Sequence, residues 1–273
     1  MTRGEAGGSR IPTRPGLLAL LVTVGAQLAL LATDGWAGAR APVPAWSASW
    51  IWSSARGAEP DHHVYFRRAF TLATAPAVPC SVRVSAATHY VLFVNGRKVG
   101  FGPPIADPRR HYFDTREIGP YLRPGPNVVA ALVHSLATPT QDFHGGRGLF
   151  ILQGTVEQPL GPVCLDTDRR WRHLVSRVWR HDAPRQSPQL HTVEIADLRQ
   201  EPVGWAASAF DDSGWAPALE IGRPPCCGYG EPVPRELGEI DEVLRPVARV
   251  AASGEVRRCR LLPPGPAAEA LRG

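Results

Sequence analysis

Eight carboxylates carry whatever hydrolytic chemistry this sequence could perform: Asp107, Asp114, Glu117, Asp142, Asp166, Asp168, Asp211 and Asp212. Inverting glycoside hydrolysis needs two such groups facing each other across a cleft, one protonated and one ionised. Asp211-Asp212-Ser213-Gly214 has the composition of a tight turn instead, in which Asp side chains bond their own backbone. Asp166 and Asp168 flank Thr167 just before Trp171 and read as a strand entry, with no second acid opposite. No catalytic residue is assigned. A nucleophile is equally hard to place. Ser135 follows His134 directly, and neighbours in a strand point to opposite faces. His62-His63 has the residue types of half a metal site, but the same alternation separates them, and the pair reads as an exposed loop before a strand. No metal or cofactor is expected.

Binding fits the residue types better. Flat aromatic faces stack on sugar rings while Asn, Asp, Arg and His bond the hydroxyls, and loops are where such contacts collect. Aromatics stand near polar loops at Trp52 by His62, Tyr112 by Asp114, Phe143-His144 by Arg147, and Trp179 by His181. The carbohydrate-contact residues expected from this placement are Tyr112, Phe143, His144 and Arg147. Trp50, Trp205 and Trp215 are assigned to the core.

The elements that position these side chains are short. Of 273 residues, 27 are Gly and 28 are Pro, a share that disfavours long helices. Val64–Leu72, Val82–Ala86, His89–Val94, Asn127–Val133 and Leu149–Gln153 read as strands. Asn95-Gly96 between two of the runs predicts a hairpin, because both turn positions favour positive φ. Pro- and Gly-rich loops (102–104, 122–125 and 145–148) punctuate the series, with no amphipathic helix between strands. Parallel βαβ units are excluded for want of crossover helices, and an all-β, antiparallel β-sandwich follows.

Outside that block, Arg3, Arg10 and Arg14 precede the apolar run 17–32 and the small residues Ala37-Gly38-Ala39. This is the pattern of a signal peptide over residues 1–39, and the run falls short of a membrane span. The expected location is secreted, periplasmic or extracellular, with no membrane attachment after cleavage. Five cysteines, at 80, 164, 226, 227 and 259, leave at least one unpaired within the chain. The formal charge of +5 is spread along the chain, nearly all of it arginine, so nucleic acid is not an expected partner. The sandwich is placed at 46–222, and the Pro-rich stretch 223–273 is read as linker and tail.

Several segments in order resemble the N-terminal β-sandwich region of bacterial α-L-rhamnosidases, which are multidomain glycoside hydrolases. They are Trp50-Ile-Trp52 leading into 64–72; Tyr90–Gly100 continuing through Gly102-Pro103 and Asp107 to 112–115; and Tyr121–Gly125, Asn127-Val128 and Leu132–His134. Gly204-Trp205, Phe210–Trp215 and Val233-Pro-Arg235 close the series. The resemblance implies a jelly-roll, galactose-binding-like sandwich. In that family a separate helical barrel supplies the catalytic acids, and the sequence stops where that barrel would begin. The expectation is therefore a secreted non-catalytic module that binds or positions rhamnose-containing glycans, with a glycan or a glycosidase catalytic domain as partner. The alternative is a truncated or split-gene fragment of an α-L-rhamnosidase that needs a separate barrel.

Overall fold

The computed structural model describes residues 45–240 apart from Pro188, with scattered positions as far as 254. The expected signal peptide lies outside the described residues. Fourteen strands follow in order: β1 (Trp50–Trp52), β2 (His62–Leu72), β3 (Ser81–Ala86), β4 (His89–Val94), β5 (Arg97–Gly102), β6 (Tyr112–Glu117), β7 (Gly125–Ser135), β8 (Phe150–Gln153), β9 (Thr155–Val156), β10 (Val163–Cys164), β11 (Arg172–Val175), β12 (Ala216–Pro217), β13 (Leu219–Gly222) and β14 (Val233–Pro234). Among the described residues helical structure is confined to three single 3₁₀ turns.

The strands form two six-stranded sheets. One runs β13-β1-β8-β3-β6-β14 and the other β12-β11-β2-β7-β4-β5, with β9-β10 as a separate ribbon. Pairing is antiparallel throughout except where β14 joins β6. The all-β sandwich is the architecture that the strand pattern predicted.

Alternation within each strand explains the packing. Val64 and Phe66 of β2, Leu92 and Val94 of β4, and Val129, Ala131 and Val133 of β7 point inward. They meet Trp52, Val82, Val84, Phe150 and Leu152 of the facing sheet in one buried core. The intervening residues point the other way. One end of that outer face is roofed by residues 205–215, where Trp205 and Trp215 pack on Tyr65, Val128 and Ala130. Trp50, Trp205 and Trp215 are all buried, as their sequence placement suggested, and so is Trp52.

Two local features fix the frame. Asn95 (φ 51°) and Gly96 (φ 84°) make the β4–β5 hairpin turn expected of Asn-Gly. Gly148 lies against the Trp52 indole so closely that a Cβ there would overlap the ring, which is why the 145–148 loop must end in glycine.

The expected boundary at residue 222 needs correction. Tyr229 is 5% exposed and packs on Trp50 and His111. Val233 and Pro234 pair with Tyr112 and Phe113, and Arg235 donates to the buried Asp114 carboxylate at 3.0 Å. The compact unit extends to Glu236. Proline suppressed the strand signal here, although an edge position needs no inward N–H from it.

Candidate functional site

The outer face of the β12-β11-β2-β7-β4-β5 sheet is covered only in part. Beyond the 205–215 roof, alternation brings His63 of β2, His134 of β7 and His89 of β4 to the same outer surface. They are directly opposed across the strands, His63 to His134 and His134 to His89. A loose hairpin over residues 178–197 leans over them, held by Asp197 N–H to Val178 O and Arg180 N–H to Ile195 O. Between sheet and hairpin lies a cleft of about 330 Å³, within the range of small-ligand sites. Val91, Leu132, Leu136 and Ile195 supply its apolar lining, and Asp61, His191, Thr192 and Glu194 its polar groups.

A ring stack forms the wall of the cleft. The His63 ring lies face to face with His134 (centroids 4.0 Å apart, planes 7° apart) and, on its other side, with Trp179 (4.4 Å, 11°). Trp179 Nε1 donates to Glu194 at 2.8 Å, which fixes the indole. Asp61, in a left-handed conformation (φ 51°) just before β2, accepts from His134 Nε2 at 2.7 Å. Its carbonyl accepts from His181 Nδ1 at 2.8 Å.

Burial opposes ionisation of Asp61, but hydrogen bonds from His134 and Thr192 and the nearby imidazoles outweigh it, so the carboxyl titrates below its usual value. His63 is 9% exposed. Burial first, and then the His134 ring, push its pKa down to about 3. Burial and His134 likewise lower His89, to about 4. At neutral pH His63 and His89 are therefore neutral imidazoles near an ionised Asp61 carboxylate. Ligand atoms of Asp61, His63 and His134 lie within 4.8 Å of one another. Face-to-face rings hold their nitrogen lone pairs in parallel planes, whereas a metal needs them to converge on one point, so the cluster has the geometry of a stack.

The residues expected to contact carbohydrate stand outside this cleft. Tyr112 sits half-buried on β6, in the opposite sheet, and its carbonyl accepts from Ser85 Oγ. Phe143 is buried, 4% exposed. His144 is exposed, and Arg147 is spent on the Ala55 carbonyl at 2.5 Å. None of the four lines the cleft, although the loop carrying Phe143, His144 and Arg147 borders it: Gln141 N–H donates to Gln189 O and Asp142 lies 3.8 Å from His191.

His62-His63 also differs from its expected place, since both residues lie within β2 rather than in a loop. The candidate acids have structural partners. Asp107 caps a 3₁₀ turn through Arg109 N–H, Asp114 accepts from Tyr90 and Arg235, and Asp166 accepts from Ser47 and Gly154. Asp211 bonds Ser213 N–H, the turn that the sequence suggested, and Asp212 pairs with Arg67.

The site was hidden in the sequence because its three histidines stand on three strands and meet only through register. The available signal was a polar residue at the outward position of otherwise apolar strands, together with Trp179, an aromatic close to His181.

Residues 77–228 match the family model described as the α-L-rhamnosidase N-terminal domain. Among solved structures, a GH78-family rhamnosidase of Bacillus sp. GL1 matches with TM-score 0.66 and 33% identity, over 72% of this chain and 20% of that one. The α-L-rhamnosidase from Dictyoglumus thermophilum matches with TM-score 0.55 and 18% identity, over 70% and 22% of the two chains. That from Aspergillus terreus matches with TM-score 0.51 and 20% identity, over 65% and 21%. The last two, at their low identity, speak for the fold alone. The chain spans about a fifth of the length of these rhamnosidases. A search of curated proteins finds no match. With most of its sandwich inside the matched region, the chain belongs to the α-L-rhamnosidase N-terminal domain family.

Proposed function

We propose that the chain is an exported, non-catalytic accessory module that holds a rhamnose-containing glycan in the cleft between the β2-β7-β4 surface and the 178–197 hairpin. One observation carries this reading: an aromatic and imidazole wall, Trp179-His63-His134, stands over an apolar floor with Asp61 and Glu194 beside it. That combination suits a deoxy sugar, whose methyl and ring C–H groups need apolar contact while its hydroxyls need fixed acceptors and donors. Tyr112, His144 and Arg147 are left outside this contact set.

Calorimetric titration of the full chain with L-rhamnose and rhamnose-terminated oligosaccharides tests it. Saturable binding is expected, weakened about tenfold or more by Trp179→Ala, which corresponds to about 1.4 kcal/mol. Absence of binding to every rhamnoside tried, or binding indifferent to Trp179→Ala, would overturn the reading.

A second reading rests on the share of the relatives that the chain spans. In it the module braces a separate catalytic domain, and the DNA following the Gly273 codon encodes that domain in some frame. A downstream region without such a sequence in any frame would remove it.

A further inference from the structure

Away from the cleft, on the segment that extends past the expected boundary, two adjacent cysteines form no disulfide with any described residue. Cys226 and Cys227 open a four-residue turn that Tyr229 N–H closes onto Cys226 O at 2.9 Å. Both central residues have positive φ, 60° at Cys227 and 85° at Gly228, which is a type I′ turn. Cysteine gains nothing intrinsic from a left-handed backbone, so the fold imposes this conformation. It brings the two Sγ atoms to 3.1 Å, about 1 Å beyond the length of a disulfide bond. Cys226 packs on the cluster containing Trp46, Trp50 and Tyr229, with Gly222 against its sulfur, while Cys227 is exposed.

We propose that Cys226-Cys227 is a redox modification site that closes into a vicinal disulfide when the protein meets a small-molecule disulfide such as oxidised glutathione. The exposed Cys227 thiolate attacks one sulfur of the oxidant and expels one thiolate, leaving a mixed disulfide on Cys227. The Cys226 thiol then attacks Cys227 Sγ and expels the second glutathione as its thiol. Two protein thiols are oxidised to one S–S bond, and one oxidant disulfide is reduced to two thiols. The order follows from access and from protonation. Burial, and then the hydrogen-bonded Cys227 thiol, push Cys226 up to about 12, so Cys227 is the entry point.

Closure between neighbours is strained. Consecutive Cα atoms lie about 3.8 Å apart, inside the usual disulfide range of about 4.4–6.8 Å. Strained disulfides reduce readily, which makes this a reversible mark and not a permanent staple. Its place matters because the same turn seats Tyr229 between Trp50 and His111.

Peptide mapping of the full chain tests the proposal. Trypsin cuts after Arg199 and Arg235 but not at Arg223-Pro224, so both cysteines fall on the 200–235 peptide, which holds no others. After oxidised glutathione and N-ethylmaleimide, that peptide should be about 2 Da lighter than its reduced form and carry no label. Excess reduced glutathione before labelling should restore two labels, and Cys227→Ser should leave one label throughout. Closure should be slower in urea, where the turn no longer holds the sulfurs together. Full double labelling after oxidation, a peptide seen only glutathionylated or linked to another cysteine peptide, or an equal rate in urea would each overturn it.

Discussion

His63 lies between a tryptophan and a second histidine, with little water to solvate a charge, so the stack holds only while its imidazole is neutral. Its folded pKa, about 3, lies below the unfolded value of about 6.5. The unfolded chain therefore binds the proton first, and stability is fully present above about pH 6.5 and lost as pH falls toward 3. For this one group the slope approaches about 1.4 kcal/mol per pH unit inside the window. Between pH 6.5 and 4.5, before most carboxylates titrate, thermal melting should show a declining Tm that His63→Phe makes shallower. An unchanged slope in that variant would show that His63 is not the group responsible. At this scale the sequence was least informative. Proximity to a loop in sequence does not say that Phe143 turns inward or that Arg147 is committed to Ala55. Trp179 was visible as an aromatic beside polar residues. Sequence sets His134 beside Ser135, whereas its partners are Asp61 and, across the sheet, His63.

Among the elements, the 205–215 roof depends on one side chain of β2. Arg67, 1% exposed, donates to Asp212 at 2.9 Å, to the carbonyls of Ala207 and Phe210 at 3.2 Å each, and to the Trp205 carbonyl. Its guanidinium also lies over the Phe210 ring. Arg67→Met should cost about 3 kcal/mol in urea unfolding, because three carbonyls and Asp212 lose their shared donor. Hydrogen exchange should rise over 205–215 before it rises in β7, and a uniform rise would contradict a roof held by Arg67. Beside Ala207 of the same roof, Gly96→Ala forces an L-residue into the left-handed region and should cost about 1 kcal/mol by the same assay. Elements were the scale most legible beforehand. The runs at 64–72, 82–86, 89–94, 127–133 and 149–153 alternate clearly, and each became a strand of nearly the expected extent. β14, β12 and the irregular 178–197 hairpin left no such trace, because two-residue pairings and isolated bridges carry no period.

For the whole molecule, the C-terminal boundary is the quantity that unfolding can measure. A chain ending at Gly222 lacks Tyr229, β14 and Arg235, and should melt well below one ending at Glu236. Tyr229→Ala alone should cost about 3 kcal/mol by removing an aromatic ring from the Trp50-His111 cluster. Equal melting of the two chains would return 223–236 to the status of linker. The sandwich itself was legible because turn chemistry and alternation agreed along the chain. The extra turn and strand were not, because composition alone makes a Pro-rich segment look unstructured. Finally, β2, β4 and β7 each have two sides with separate duties: Val64, Leu92 and Val133 hold the sandwich together, while His63, His89 and His134 face the cleft. The outward residues can therefore be exchanged without repacking the interior. A library randomised at positions 63, 89, 134 and 179 should yield mostly folded proteins, as circular dichroism of the expressed members would show, with the cleft surface changed and the sandwich core intact.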